Sequence, residues 1–204
     1  MERIRFGVLV SGSGSNLQAI LDACSAGDIP GDVAVVVSNK ADAYGLERAR
    51  IAGVPGAHVD PASFADRAGY DHAVREALDA ARVDYVVMAG YMKLLGAEVL
   101  DAYPLRVLNI HPALLPAFPG AHGIRDAFEY GVKVTGVTVH FANEVFDEGP
   151  IIAQEAVPII EGDSIEALES RIHAVEHVLY PRVLAAIAER RVVVEGRRVR
   201  IAAR

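Results

Sequence analysis

The stretch RFGVLVSGSGSNLQAILDACSA (residues 5–26) decides how the chain is read. Arg5–Val10 is short and nearly continuous in apolar residues, as a strand buried on both faces should be. Leu17–Ala26 is Ala-rich without internal Pro or Gly and reads as a helix. Between them lies Ser11-Gly12-Ser13-Gly14-Ser15-Asn16, a turn at the carboxyl end of a strand and the amino end of a helix. Open α/β sheets bind ligands at that place, because the first helical N–H groups have no partner and attract anions. Gly12 and Gly14 allow close backbone approach, and Ser15 and Asn16 add side-chain hydrogen bonds. A dinucleotide fingerprint would require Gly at 17 and an acidic residue after the second strand, where Leu17 and Ser38-Asn39-Lys40 stand. The loop therefore reads as a cradle for one phosphate, with a plain Gly/Ser turn and helix cap as the alternative.

The pattern repeats outward. Asp32–Ser38 and Asp84–Ala89 are further buried strands, with Ala43–Ala52 and Tyr70–Ala81 as helices between them. Such alternation predicts βαβ units and a mostly parallel sheet. Leu105–Ile110 is another strand, stopped by Pro112. Val134–Ala142 and Pro150–Ile159 are extended and predict an antiparallel hairpin. A long helix follows, with Asp163 and Glu166 as a capping pair and Ile165, Leu168, Ile172, Val175 and Leu179 on one face. Pro181 is expected to kink or split it. Val192–Val194 and Val199–Ile201 flank Glu195-Gly196 as a small edge hairpin. The fold class is α/β: a Rossmann-like, mostly parallel sheet flanked by helices, with a C-terminal antiparallel hairpin and a long helix.

The chain has 204 residues, 52% of them hydrophobic and 23% charged, so one domain with a real core is expected and disorder is excluded. Net charge is −7, unevenly placed: from Arg190 onward six arginines face only Glu195, leaving −12 on residues 1–189. That acidic body argues against general nucleic-acid binding, and the basic tail reads as a solvated terminal strand. Cys24 is the only cysteine, which excludes an internal disulfide and a cysteine zinc cluster. No apolar run reaches the roughly 18 residues of a membrane span, and Phe6–Val10 is too short for a signal segment. A cytoplasmic protein is expected.

Two further motifs bear on chemistry. In Asn109-Ile110-His111-Pro112, strand alternation places Asn109 and His111 on one face. An amide donor beside an imidazole at a strand's end suits acyl transfer, with a satisfied loop pair as the alternative. Asp147, in Phe146-Asp147-Glu148-Gly149-Pro150, is a candidate partner that would favour the imidazolium, although nothing local brings it to His111. His173-Ala174-Val175-Glu176-His177 matches the H-x-x-E-H string of inverted zinc peptidases. A zinc site there lacks a third histidine, and only Glu189 and Glu195 follow as carboxylates. His173 and Glu176 facing a polar ligand is the better functional reading, a plain helix face with His177 simply packed is the alternative, and no metal is expected.

Taken in order, these blocks resemble the folate-dependent phosphoribosylglycinamide formyltransferases (GAR transformylases) over nearly the whole chain. The similarity covers residues 11–20, Ser38–Ala43, Leu46–Ala49, Ala89–Met92, Leu108–Pro112 with Leu114–Pro116, and Asp147–Pro150. The resemblance implies transfer of a formyl group from 10-formyltetrahydrofolate to the amine of glycinamide ribonucleotide, in purine biosynthesis. It implies Asn109, His111 and Asp147 as catalytic residues. Gly14, Ser15 and Asn16 would hold the substrate phosphate, and Glu176 the ribose with His173 nearby. Arg67 would contact the folate. Met92, Lys93, Leu94 and Leu95 would line the pterin pocket, with Ala142, Asn143, Glu144 and Val145 opposite and Asn109 at its edge. Ala113 and Ala117 stand where the family often has Ser and Lys. One domain over 1–204 is implied, with a nucleotide-binding half (about 1–100) and a catalytic, folate-binding half (about 101–204). Partners would be the two small molecules, without nucleic acid or membrane, for a monomer or homodimer. Related hydrolases and tRNA formyltransferases usually carry an extra N-terminal regulatory or C-terminal module, and neither is expected here.

Overall fold

Strand β1 (Ile4–Val10) is buried on both faces, with Phe6, Val8 and Val10 packed into one core and Leu9 into the other. Its nearly unbroken apolar run follows from that double burial. The computed structural model describes residues 3–203, so Arg204 of the basic tail lies outside them. After β1 come α1 (Ser15–Ala26), β2 (Gly31–Ser38), α2 (Tyr44–Ile51), β3 (Gly56–His58), α3 (Arg67–Ala80) and β4 (Tyr85–Met88). The second half adds α4 (Ala97–Ala102), β5 (Val107–His111), α5 (Gly123–Tyr130), β6 (Val134–Phe141), β7 (Ile151–Pro158), α6 (Ile165–Ala188), β8 (Val192–Glu195) and β9 (Arg198–Ile201).

These strands form a nine-stranded sheet in the order β3-β2-β1-β4-β5-β6-β7-β9-β8. The first five run parallel, and β6 and β7 continue antiparallel from β5. Chain order reverses between β1 and β4, so a crevice opens at their carboxyl ends, where parallel sheets place ligands. α1 and α6 cover one face, with Ile20, Leu168, Ile172 and Leu184 in its core; α3 and α4 cover the other, with Val74, Leu78 and Val99. Tyr180 of α6 is fully buried, and its hydroxyl donates to the carbonyls of Met88 (3.0 Å) and Leu108 (3.2 Å). This ties the long helix to β4 and β5 beneath the crevice.

The expected strands and helices are present, and the two hairpins pair as the sequence predicts. Several details differ. β5 begins at Val107, because Leu105 is exposed in a left-handed turn with φ 51°. The cap of α6 is Ser164, whose Oγ accepts the Ala167 N–H at 3.3 Å. Asp163 instead accepts the Ile160 N–H and pairs with Arg171 at 2.9 Å, which closes the preceding turn. α6 runs unbroken through Pro181. Pro181 lines an open groove between α1 and α6, where a carbonyl deprived of its helical partner can be hydrated. β3 and α4 are too short, with three and six residues, to carry a period, and α5 is a further helix of eight residues, not predicted from the sequence. Among the described residues no helix is long and apolar enough to cross a membrane.

Candidate active site

The crevice is built from the loop after β1. α1 starts without any side-chain cap: its N-cap is Gly14, with φ 68°. The first N–H groups of the helix are therefore left for a ligand. Gly14 is required twice over, by its left-handed backbone and because a Cβ would lie 2.8 Å from Gly45 Cα. Ser11 fixes the loop to its neighbours: its hydroxyl donates to Asn39 Oδ1 (2.6 Å) and accepts the Met92 N–H (2.8 Å).

A cleft of about 410 Å³ opens over this loop, with Gly90, Pro112, His173 and Glu176 among its walls. Glu176 is 4% exposed, and its Oε2 accepts from Asn16 Nδ2 (3.0 Å) and faces His173 Nδ1 (2.9 Å). The hydrogen bond to Glu176 raises the pKa of His173 against the opposing effect of partial burial. Gly14, Ser15, Asn16, His173 and Glu176 thus share one cleft, with Asn16 Nδ2 engaged by Glu176 and Asn16 Oδ1 buried without a partner among the described residues. The His173 and His177 rings stack with centroids 6.3 Å apart. Burial lowers the pKa of His177, and its Nε2 is enclosed without a partner among the described residues.

At the end of β5 the pairing with β6 sets Asn109 opposite His140 and His111 opposite Thr138. All four side chains share one face, while Ile110 turns into the core behind. Asp147, from the loop between β6 and β7, closes this group with a side chain only 2% exposed. Its Oδ2 lies 3.4 Å from His111 Nδ1 and accepts the Gly120 N–H at 2.8 Å; its Oδ1 lies 3.5 Å from His140 Nε2 and 3.4 Å from Asn109 Nδ2. Burial pushes this carboxyl upward. Hydrogen bonding to His140, the Gly120 N–H and the charges of His111 and His140 outweigh it, so the pKa falls below the usual range. His111 Nε2 meets the Phe118 carbonyl at 2.8 Å. Both ring nitrogens of His111 thus face oxygen atoms, Nε2 the Phe118 carbonyl and Nδ1 the Asp147 carboxylate. Thr138 serves the loop beyond: Oγ1 donates to the Ala113 carbonyl (2.7 Å) and accepts from the Leu115 N–H and from Gln154. Polar support therefore comes from β6 and β7, although position 113 holds alanine.

On the other side of Asn109, an apolar pocket is walled by Leu94, Leu95, Leu100, Val145 and Phe146, with Ala142 and Asn143. It is nearly closed, at about 20 Å³, and continues into an open groove of about 520 Å³ holding Arg67, Asp71 and Glu144. Arg67 is braced by Asp71 (3.3 Å) and by the Leu94 carbonyl (3.0 Å).

Residues 4–184 match the model of the family described as formyl transferase. The chain belongs to that family. It is 45% identical over 184 residues to the phosphoribosylglycinamide formyltransferase of Escherichia coli (strain K12), covering 90% of this chain and 87% of the relative. The crystal structure of glycinamide ribonucleotide transformylase 1 from Symbiobacterium toebii superposes with a TM-score of 0.97 at 59% identity, over 98% of this chain and 95% of the other. A formyltetrahydrofolate deformylase from Pseudomonas syringae pv. tomato str. DC3000 matches at 0.89 and 30% identity, over 98% of this chain but 66% of its own.

Of the residues expected to line the pterin pocket, three lie outside it: Met92, Lys93 and Glu144, the last lining only the adjoining groove. Met92 lines the cleft over the β1 loop, because its N–H is held by Ser11. Lys93 is exposed and lines neither the apolar pocket nor its groove. Leu100 takes a place in the pocket wall that the reading did not assign. His140 was not singled out either. Its one local signal is a histidine in a fully buried stretch of strand, and only the β5–β6 register reveals what it faces.

Proposed function

We propose that the chain transfers the formyl group of 10-formyltetrahydrofolate to the amine of glycinamide ribonucleotide, a step of purine biosynthesis. One observation carries this reading: the end of β5 is the wall between two clefts. Ile110 and Pro112 border the cleft over the uncapped helix, and Asn109 borders the apolar pocket with His140 and Asp147. A phosphorylated amine and a formyl donor whose ring lies in the apolar pocket would thus meet at Asn109 and His111.

The nucleotide's phosphate lies against the N–H groups of Gly14–Asn16, and its ribose against Glu176 and His173. The folate ring enters between Leu94, Leu95, Leu100 and the 142–146 segment, which must move outward because the pocket is nearly closed. Arg67 takes the anionic tail. The glycyl nitrogen attacks the formyl carbon, and the carbonyl oxygen becomes an oxyanion. Asn109 and the imidazolium of His111 donate to it, the His111 Nε2–H leaving the Phe118 carbonyl for this purpose. Asp147 holds His111 in its charged form. The amine's proton passes to the folate N10, the C–N10 bond breaks, and tetrahydrofolate leaves. The transfer is direct and needs no metal.

The chain works as one domain, the β1 loop serving the nucleotide and the second half the folate and the chemistry. Its partners are small molecules, its setting the cytoplasm, and its state monomer or homodimer. Mixing the protein with both substrates and following folate release tests the reading. Formylated ribonucleotide is the expected product. Release of free formate would indicate hydrolysis instead, and no turnover by folded protein would overturn the proposal.

A further inference from the structure

The cleft read as the nucleotide site has a charge problem that backbone N–H groups leave unsolved. Its walls include two carboxylates, Glu169 and Glu176, with His173 beside them. A phosphomonoester adds close to two more negative charges at neutral pH. Arg125 of α5 is the one Lys or Arg among the residues lining this cleft. The cation beneath the β1 loop, Arg48, is already committed, with Nε donating to the Ser13 carbonyl (2.8 Å) and one terminal nitrogen to Gln18 (2.9 Å). Arg125 makes no hydrogen bond or ion pair among the described residues, and it is exposed to the cleft's solvent.

Its position is tied to the chemistry. α5 opens at Gly123, where a Cβ would lie 3.1 Å from His111 Nε2 and equally close to the Phe118 carbonyl. The first turn of α5 therefore packs directly on the catalytic ring, and Arg125 is the third residue of that turn. Ile124 next to it packs against the core, which orients the turn toward the cleft.

We propose that Arg125 is the residue that selects a phosphorylated substrate, its guanidinium closing on the phosphate from the side opposite the α1 N–H groups. A planar fork of donors matches a phosphate bidentately. This rests on reading the cleft as the phosphoribosyl site.

The test compares wild type, Arg125→Ala and Arg125→Lys with glycinamide ribonucleotide and with its dephosphorylated ribonucleoside. For the nucleotide, Arg125→Ala should raise KM about 10- to 100-fold, as loss of a charged hydrogen-bond pair implies, and Arg125→Lys should recover part of it. KM for the ribonucleoside should be the same in all three proteins. A KM for the nucleotide unchanged by Arg125→Ala, or raised equally for both substrates, overturns the proposal. Calorimetric titration with ribose 5-phosphate requires no turnover and separates this inference from the catalytic reading. Binding by wild type that is lost in Arg125→Ala supports it even if the transfer assay fails; equal binding, or none to wild type, overturns it.

Discussion

His140 of β6 stands directly opposite Asn109 of β5, with its Nε2 3.2 Å from Asn109 Nδ2. His140 is anchored behind by Nδ1 to the Phe141 carbonyl (2.9 Å), so the nitrogen facing Asn109 and Asp147 is held in place. His140→Ala leaves both groups without that support. The expected effect is a fall in kcat of about 10²-fold, within the range for losing a positioned polar group, with Asn in its place restoring part. Steady-state kinetics check this, and a kcat within threefold of wild type would refute a positioning role.

Asp147 carries the negative charge of the site. Asp147→Asn should lower kcat by about 10²–10⁴-fold and alter the pH–rate profile, since His111 loses its counter-charge. Stability gives a second readout. The folded carboxyl titrates below its ordinary 3.8, so its stabilising contribution is present above that pH and lost as pH falls through the folded value. Acid unfolding of the Asn variant should therefore be less steep below about pH 4 than that of wild type.

His173 works in the opposite direction. Its folded pKa is raised by Glu176, so the contribution is fully present below 6.5 and fades as pH rises through the folded value. Urea midpoints of His173→Gln measured from pH 6 to 8.5 should show a flatter dependence than wild type. A parallel pair of curves would show that the contact does not contribute.

Gly14→Ala puts an L side chain into a left-handed position and 2.8 Å from the Gly45 backbone. The conformation alone costs about 1–2 kcal/mol, and neither backbone yields readily. A lower Tm together with a higher KM for the nucleotide is expected, because the loop carrying the free N–H groups must shift. An unaltered KM would separate the loop from substrate binding.

Tyr180→Phe removes one donor serving two buried carbonyls. Denaturation in urea should show a loss of about 1–3 kcal/mol with an unchanged m-value.

Much of this molecule is written locally. β1, α1, β2 and α6 follow from run length and period, which depend only on neighbouring residues. The uncapped glycine turn and the shared face of Asn109 and His111 follow from the same short-range geometry. Other features have no local cause. The three residues of β3 pair only because β2 is already there. Asp147 meets His111 across 36 positions of sequence, and His140 meets Asn109 across 31, through a turn and a strand register that no pattern in either segment encodes. Period and capping are short-range, and so legible in the chain. The closing of a carboxylate over two imidazoles is a long-range event, set by how β5, β6 and the loop before β7 pack together.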